Sequence, residues 1–192
     1  MASQSQLSIA TVGHSTHSIE EFIGILEAHG IRQLVDVRTM PRSRRVPQFN
    51  KESLSASLPS SGIIYRHMPG LGGLRHANRG SSNTGWKNAS FRGFADYMQT
   101  PDFRENLEKL IEFAGQASTA IMCAEAVPWR CHRSLIGDAL VVRGIQVIEI
   151  LSGKQSRPHT LTPFARVDGF EVTYPAVAAV ESENLKLEFD GP

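Results

Sequence analysis

Long apolar runs are missing from this sequence, and no stretch approaches the roughly 18 apolar residues that a membrane helix needs. The first residues, MASQSQLSIATVG, also lack the basic and apolar regions of a secretory signal peptide. Cysteine is scarce, with 2 in 192 residues, which excludes the dense disulfide framework of small secreted domains. We therefore expect no membrane association and a cytoplasmic location.

Common cofactor motifs are absent too. Neither a GxGxxG fingerprint nor a phosphate-binding loop occurs, and the glycines of residues 70–73 are only weakly specific for anions. Cys123 and Cys131 are too far apart for the paired ligands of a zinc finger. The adjacent side chains of Cys131 and His132 are expected to point apart on a helix, so a metal site would need His14 from another strand. We predict no cofactor and no metal.

Acidic residues are nearly absent from the middle of the chain. Residues 38–95 contain ten Lys and Arg but only one acid, Glu52, a local charge of +9 in a chain whose net charge is +1. Such a block favours an anionic partner, and we expect nucleic acid, in particular DNA, or a nucleotide. The alternative is a solvated face without a function. The sequence gives no indication of the oligomeric state.

What the sequence does contain is a regular alternation of strand and helix patterns. A capping box at Ser18 and Glu21 and the dipeptide Thr100-Pro101 predict two helix starts. This alternation predicts an α/β fold with a mostly parallel sheet flanked by helices, of Rossmann-like type. Residues 1–154 form the core, and residues 155–192 form a C-terminal hairpin and tail packed on it within a single domain. The predicted strands are residues 7–12, 33–37, 62–67, 119–122 and 146–151.

Reactive residue types follow several of these strands. Because the carboxyl ends of parallel strands lie at one edge of a sheet, we expect them to meet in one cleft. The candidate catalytic residues are Asp36, Glu125, His14, Cys131 and His132. The candidate substrate-binding residues are Arg38, Arg42, Arg44, Arg45, Gly72, Gly73, Arg75 and Arg133. The long segment 68–90 has no helical or strand periodicity, so we expect a binding loop, a lid or disorder there.

Each candidate also has a purely structural interpretation. Asp36 could form a salt bridge with an arginine, and His14 could be a hydrogen-bonded histidine beside a turn. Cys123 could be a small buried hydrophobic residue. Cys131 differs, because a position at a helix N-terminus between Arg130 and His132 favours its thiolate, although an inert thiol stays an alternative.

The same residues resemble a known family, the domain of unknown function 488. The resemblance covers about residues 8 to 151 and implies an α/β core and a site, without a securely assigned reaction. This sequence departs from the family at Glu149, where a histidine is expected. The motifs that carry the resemblance are Gly13-His14-Ser15, Asp36-Val37-Arg38 with Pro41 and Arg42, Leu71-Gly72-Gly73, Met122-Cys123-Ala124-Glu125 and Cys131-His132-Arg133.

Three functions are compatible with this pattern. The first is a hydrolase acting on nucleic acid or a nucleotide, such as a DNA glycosylase that removes a damaged base in DNA repair, in which Asp36 or Glu125 is the general base. Arginines would bind phosphates and the aromatic residues Trp86, Phe91 and Tyr65 would stack on bases. The second is a cysteine-dependent enzyme acting on a small anionic metabolite. The third is a nucleic-acid- or anion-binding module without catalysis.

Overall fold

A computed structural model describes residues 6–176 and contains a six-stranded sheet. The strands are β1 (Ser8–Gly13), β2 (Gln33–Asp36), β3 (Ile64–His67), β4 (Thr119–Cys123), β5 (Gln146–Ser152) and β6 (Gln155–Pro158). They lie in the order β3-β2-β4-β1-β5-β6, with the first five parallel and β6 antiparallel to β5. The Rossmann-like α/β fold predicted from the sequence is confirmed.

Within residues 6–176, five α-helices connect the strands. The predicted capping box begins the first helix, since the Glu21 N–H donates to the Ser18 hydroxyl at 3.1 Å and the Ser18 N–H donates to the Glu21 carboxylate at 2.9 Å. The Thr100 hydroxyl caps another helix by accepting the Phe103 N–H at 3.3 Å. The helices are α1 (Ile19–Ala28), α2 (Lys51–Ser57), α3 (Ala89–Tyr97), α4 (Pro101–Ala114) and α5 (Arg133–Val141).

The helices cover both faces of the sheet, and each face has its own hydrophobic core. On one face, α1 and α2 bury Phe22 and Leu54 against the strands. On the other face, α3, α4 and α5 bury Phe94, Leu107 and Leu135. Strands buried on both sides in this way are typical of parallel sheets.

This strand order opens a crevice at the carboxyl end of β4. The connections after β1 and β2 pass over one face of the sheet, whereas the connections after β3 and β4 pass over the other. The chain leaving β4 therefore turns away from the chains leaving its neighbours β1 and β2. In open α/β sheets, ligands bind at such a switch point.

The C-terminal segment adds two small features to this core. The predicted hairpin is confirmed, with β7 (Arg166–Asp168) paired to β8 (Glu171–Thr173) and Gly169 in the left-handed region at φ 57°. The edge strand β6 was not predicted, because its four residues are exposed and end in a proline, which leaves no apolar alternation. The sheet therefore continues past residue 154. The predicted tail beyond residue 176 lies outside the described residues.

Candidate active site

The carboxyl ends of β1, β2 and β4 lie side by side at this crevice. Gly13 pairs with Cys123, and the His14 N–H donates to the Cys123 carbonyl at 2.9 Å. On the other side of β4, the Val37 N–H donates to the Met122 carbonyl at 3.0 Å. A side chain at Gly13 would collide with the backbone that follows β4. Glycine therefore allows the close approach that brings the residues after these strands together.

A cavity of about 370 Å³ opens at this edge. Five of the residues predicted from the sequence line it, namely Arg38, Gly73, Glu125, Cys131 and His132. The remaining lining residues are Thr39, Met40, Leu74, Ser90, Phe91, Cys123, Ala124 and Arg130. The structure thus brings thiols, an imidazole, a carboxylate and two guanidinium groups to one cavity.

Asp36 does not line this cavity, and it is fully buried. Its Oδ1 accepts the backbone N–H and the Nε–H of Arg38 at 3.0 and 2.8 Å. Its Oδ2 accepts from Arg38 Nη2 at 2.6 Å and from the Tyr65 hydroxyl at 2.8 Å. Burial and the charge of Asp36 together raise the pKa of Tyr65 well above its ordinary value. These contacts make Asp36 an anchor for Arg38, whereas its role as a base stays a prediction.

His14 is also buried, and both of its ring nitrogens have partners. Nδ1–H donates to the Ser15 carbonyl at 2.9 Å, which leaves Nε2 to accept from Arg38 Nη1 at 3.0 Å. The ring stacks on Phe49 with centroids 4.1 Å apart. Burial, together with the charge of Arg38, lowers the pKa of His14 to about 4. The imidazole is therefore neutral at pH 7 and serves as an acceptor that helps to orient Arg38.

Arg133 is the most unusual residue of the site, because its side chain is buried without a carboxylate. Its exposed fraction is 1%, and no ion pair to Asp or Glu forms within residues 6–176. Nε donates to Cys131 Sγ at 3.4 Å, Nη2 donates to the Glu125 carbonyl, and Nη1 has no partner among the described residues. An isolated buried cation is costly. The group that contacts this guanidinium and can carry a negative charge is the Cys131 thiol.

The two cysteines differ in the charge that each can carry. A hydrogen bond from Cys123 lowers the pKa of Cys131 well below its ordinary value, with help from His132 and Arg133 and against the opposing effect of burial. The same hydrogen bond, followed by burial, raises the pKa of Cys123. Burial disfavours the charge of Arg133, but the neighbouring sulfur atoms outweigh it and raise its pKa. The direction of these shifts makes Cys131, rather than Cys123, the thiol that ionises more readily.

His132 is placed to take the proton of Cys131. Its Nε2 lies 3.3 Å from the Val37 carbonyl, which can only accept, so the ring proton resides on Nε2. The free electron pair of Nδ1 then faces Cys131 Sγ at 3.6 Å. Gly73 permits this position, because a Cβ there would meet the imidazole ring.

The expectation that Cys131 and His132 point apart is wrong. Cys131 has an extended backbone after the 3-10 turn Pro128–Arg130, and His132 is the N-cap of α5. Neither residue lies inside the helix, so the spacing of helical side chains does not apply to them.

The mouth of the cavity carries both signs of charge. Glu125 and Arg130 are exposed on the segment between β4 and α5, and Glu125 Oε1 accepts the Val127 N–H at 3.3 Å. Arg130 forms no ion pair within the part of the chain that the structure describes. A ligand at the mouth therefore meets a free cation and a carboxylate.

The glycine-rich loop after β3 is held in place by Arg75. Its Nε and Nη2 donate to the carbonyls of Gly72 and Gly70, each at 3.1 Å, and its guanidinium lies 3.6 Å from the centre of the Tyr97 ring. Gly72 packs against the backbone of Thr39. Arg75 and Gly72 thus shape the loop, and Gly73 and Leu74 are its residues that line the cavity.

Three of the predicted arginines lie elsewhere. Arg42, Arg44 and Arg45 are exposed on the loop between β2 and α2, and none of them lines the cavity. Their contact with an anionic partner stays a prediction.

Sequence reasoning missed several residues of the cavity wall. Met40 and Leu74 line the cavity and are largely exposed, and neither was among the predicted residues, whereas Phe91, predicted as a stacking residue, also lines it. Cys123 belongs to the hydrophobic core, as its structural interpretation predicts, and it also lines the cavity together with Cys131. The sequence carries no signal for this contact, because the spacing of seven residues between the two cysteines matches no paired motif.

Neither a metal cluster nor a membrane helix is found in residues 6–176. No group of three or more His, Cys, Asp or Glu side chains there is arranged to hold a metal ion. The helices of this part of the chain lack the length and hydrophobicity that crossing a bilayer requires.

Comparison with known proteins identifies the family. No curated protein and no solved structure matches the chain significantly. A family model matches residues 18–140, which is more than half of the chain and includes Asp36, Glu125, Cys131 and His132, although it leaves out His14. The chain belongs to the family described as Domain of unknown function DUF488.

Proposed function

We propose that the protein is a cysteine-dependent enzyme acting on a small anionic substrate, with the Cys131 thiolate as nucleophile. The observation that supports this most directly is the guanidinium of Arg133, buried 3.4 Å from Cys131 Sγ and without a carboxylate partner in the described residues. A thiolate is the charge that makes this burial tolerable. A thiolate on a cavity wall is also a strong nucleophile.

Two further features support activation of the thiol. His132 Nδ1 faces the sulfur at 3.6 Å and can accept its proton, which gives the Cys-His arrangement of nucleophilic enzymes. Cys131 also lies just before the N-terminus of α5, where the helix dipole favours negative charge.

The cavity supports a small substrate with a negative charge. Arg38 and Arg130 provide cations, whereas Met40, Leu74 and Phe91 provide apolar surface. A volume of about 370 Å³ suits a metabolite rather than a polymer inside the cavity.

In the proposed reaction, the Cys131 sulfur forms a bond to an electrophilic atom of the substrate. The bond to the leaving group breaks, and the leaving group departs with its electron pair and takes a proton from the His132 imidazolium. Water, oriented by Glu125, then attacks the covalent intermediate and loses its proton to His132, which becomes the imidazolium again. The thiolate leaves, and the site returns to its starting state.

Two alkylating agents of similar size test this proposal. Iodoacetate is anionic and iodoacetamide is neutral, so an arginine-lined cavity should increase the rate with iodoacetate, relative to iodoacetamide, above the ratio shown by free cysteine. Arg130→Gln should lower that ratio, and Cys131→Ser should abolish rapid labelling. A ratio equal to that of free cysteine in the wild type would contradict the anionic substrate, and rapid labelling that persists in Cys131→Ser would contradict the nucleophile.

A second candidate is the nucleic-acid-directed hydrolase, in particular a DNA glycosylase used in DNA repair. The observation that favours it is the exposed carboxylate of Glu125 in a cavity that Phe91 also lines, where a base could stack while Glu125 orients water. Duplexes with modified bases provide the test: Glu125→Gln should stop base release, while Glu52→Gln on the surface of α2 should not. No release from any duplex, together with no salt-sensitive DNA binding, would exclude this function.

The partner and the location belong to the same proposals. DNA binding would use the exposed arginines 42, 44 and 45, and their charge reversal should abolish it even if the protein is only a binding module. A reducing cytoplasmic location would keep both thiols free for catalysis.

A further inference from the structure

A second cysteine shares the cavity with the proposed nucleophile. Cys123 ends β4, Cys131 follows the 3-10 turn, and both line the same cavity. Each thiol is buried and free, and the two lie near enough for each to shift the pKa of the other. Both cysteines of the chain therefore meet at one site.

We propose that these two thiols form a redox centre that reduces a hydroperoxide, with Cys131 as the attacking sulfur and Cys123 as the resolving sulfur. This inference rests on the proposed function, because it needs the same nucleophile. It adds a second reacting residue, a substrate class and an oxidation-reduction cycle that nucleophilic group transfer does not require.

Arg133 supplies the geometry for the first step. Its Nε lies 3.4 Å from Cys131 Sγ, and its Nη1 is buried without a hydrogen-bond partner in residues 6–176. A buried N–H without an acceptor is costly. A peroxide oxygen beside the sulfur would accept this N–H, and the same hydrogen bond would stabilise the alkoxide that leaves.

In the first step, the Cys131 thiolate attacks the terminal oxygen of the hydroperoxide. The S–O bond forms as the O–O bond breaks, and the alkoxide takes the proton that His132 had removed from Cys131. The sulfur loses two electrons and becomes a sulfenic acid, while the hydroperoxide is reduced to an alcohol.

In the second step, the Cys123 sulfur attacks the Cys131 sulfenic sulfur. The S–S bond forms as the S–OH bond breaks, and the hydroxide leaves as water with the Cys123 proton. The hydrogen bond from the Glu125 N–H to Cys123 Sγ, 3.4 Å long, holds the resolving sulfur in place beforehand. An external dithiol then reduces the disulfide and returns both thiols.

The burial of Arg133 makes this disulfide easy to reduce. Oxidation removes the thiolate, so the guanidinium is left in the protein interior without a counter-ion. Interactions that stabilise the reduced form raise the reduction potential of a disulfide. We therefore expect the oxidised form to be the less stable one, which suits a cycle rather than a permanent bond.

The test uses the reduced full-length protein and one equivalent of cumene hydroperoxide, followed by alkylation and trypsin. Trypsin cleaves after Arg130 and separates the two cysteines, so a disulfide joins two otherwise separate peptides. The wild type should give this linked pair, and dithiothreitol should release it. Cys123→Ser should instead give a sulfenic acid on Cys131 that dimedone traps, and Cys131→Ser should react at least roughly 30-fold more slowly, because an ordinary thiol is only about 3% ionised at pH 7.

The outcomes separate this inference from the proposed function. If Cys131 alkylates rapidly but the wild type accumulates a trappable sulfenic acid in place of the linked peptides, the redox centre is wrong and the nucleophile stands. If Cys131 reacts with both alkylating agents and peroxide as slowly as an ordinary thiol, both proposals are wrong. Peptides are compared rather than whole proteins, because Met40 is exposed and gains oxygen independently.

Discussion

Removing both thiols should leave the Arg133 guanidinium buried without a counter-ion. In the structure its Nε faces Cys131 Sγ, and its exposed fraction is 1%. If the thiolate balances this charge, the cost of losing it should largely depend on whether Arg133 is present. The informative perturbation is therefore Cys123→Ala with Cys131→Ala, made with Arg133 intact and again with Arg133→Met.

The structure sets the expected magnitudes. Two small buried groups replaced by alanine cost about 1 kcal/mol each, and an orphaned buried charge costs about 3 kcal/mol more. The two-alanine variant should therefore lose about 5 kcal/mol of unfolding free energy. Adding Arg133→Met to the two-alanine variant removes the orphaned charge, but it also removes the hydrogen bond to the Glu125 carbonyl, worth about 1 kcal/mol. The unfolding free energy should therefore rise again by about 2 kcal/mol.

Urea unfolding at pH 7 with a reducing agent, followed by tryptophan fluorescence, measures these differences. Arg133→Met alone completes the cycle and should destabilise the protein, because it leaves the thiolate without its cation. A cost of Arg133→Met that is the same with and without the cysteines, within about 0.5 kcal/mol, would refute the ion pair.

Three further predictions concern the groups around the nucleophile. Because the pKa of His14 is lowered to about 4 from an ordinary 6.5, stability should fall by up to about 3 kcal/mol between pH 6.5 and 4 as the unfolded chain takes up the proton first; urea unfolding against pH measures this. Asp36→Asn should cost about 3 kcal/mol of unfolding free energy in the same assay, since Arg38 loses a buried ionic partner. Gly73→Ala should slow alkylation of the reactive thiol by roughly 10-fold, because the new methyl displaces the His132 ring.

Two of these predictions have a matched control, and the third has a contradicting outcome. His14→Gln should remove the extra loss of stability at acidic pH. His159 does not add to this loss: burial opposes its charge, but hydrogen bonds to Asp138 and Glu149 raise its pKa. Its contribution to the unfolding free energy is therefore constant below pH 6.5. A pH profile unchanged by His14→Gln would show that the imidazole is not buried neutral. Gly80→Ala, which has open space around it, should leave alkylation unchanged. For Asp36→Asn, wild-type stability would mean that Arg38 finds another partner.

Local sequence signals were sufficient for most of the fold. The capping box at Ser18 and the Thr100-Pro101 start depend on hydrogen bonds between near neighbours, so the sequence alone predicts them. The edge strand β6 was not predictable in this way. Its residues depend on pairing with β5, a contact that leaves no apolar pattern in four exposed residues.

The sequence was sufficient to predict where the site lies, but not which of its side chains contact each other. Parallel strands fix where His14, Asp36 and Cys123 must lie, because each follows or ends a strand. Which carboxylate forms an ion pair with an arginine depends on side-chain packing. In the structure, both carboxylate oxygens of Asp36 accept hydrogen bonds from Arg38. The sequence likewise could not show that the Arg133 guanidinium contacts the Cys131 sulfur rather than a carboxylate.

The most direct test is the pH dependence of the rate at which iodoacetamide alkylates Cys131. The rate is measured on the Cys123→Ser protein, in which Cys131 is the remaining thiol. If the sulfur is a thiolate held by a hydrogen bond from residue 123, which the serine hydroxyl can still donate, and by His132 and Arg133, the rate should stay level from pH 8 down through pH 7 and fall only at a more acidic pH. A rate that instead drops about tenfold for each pH unit below 8, as for an ordinary thiol, would contradict the thiolate and the function proposed from it.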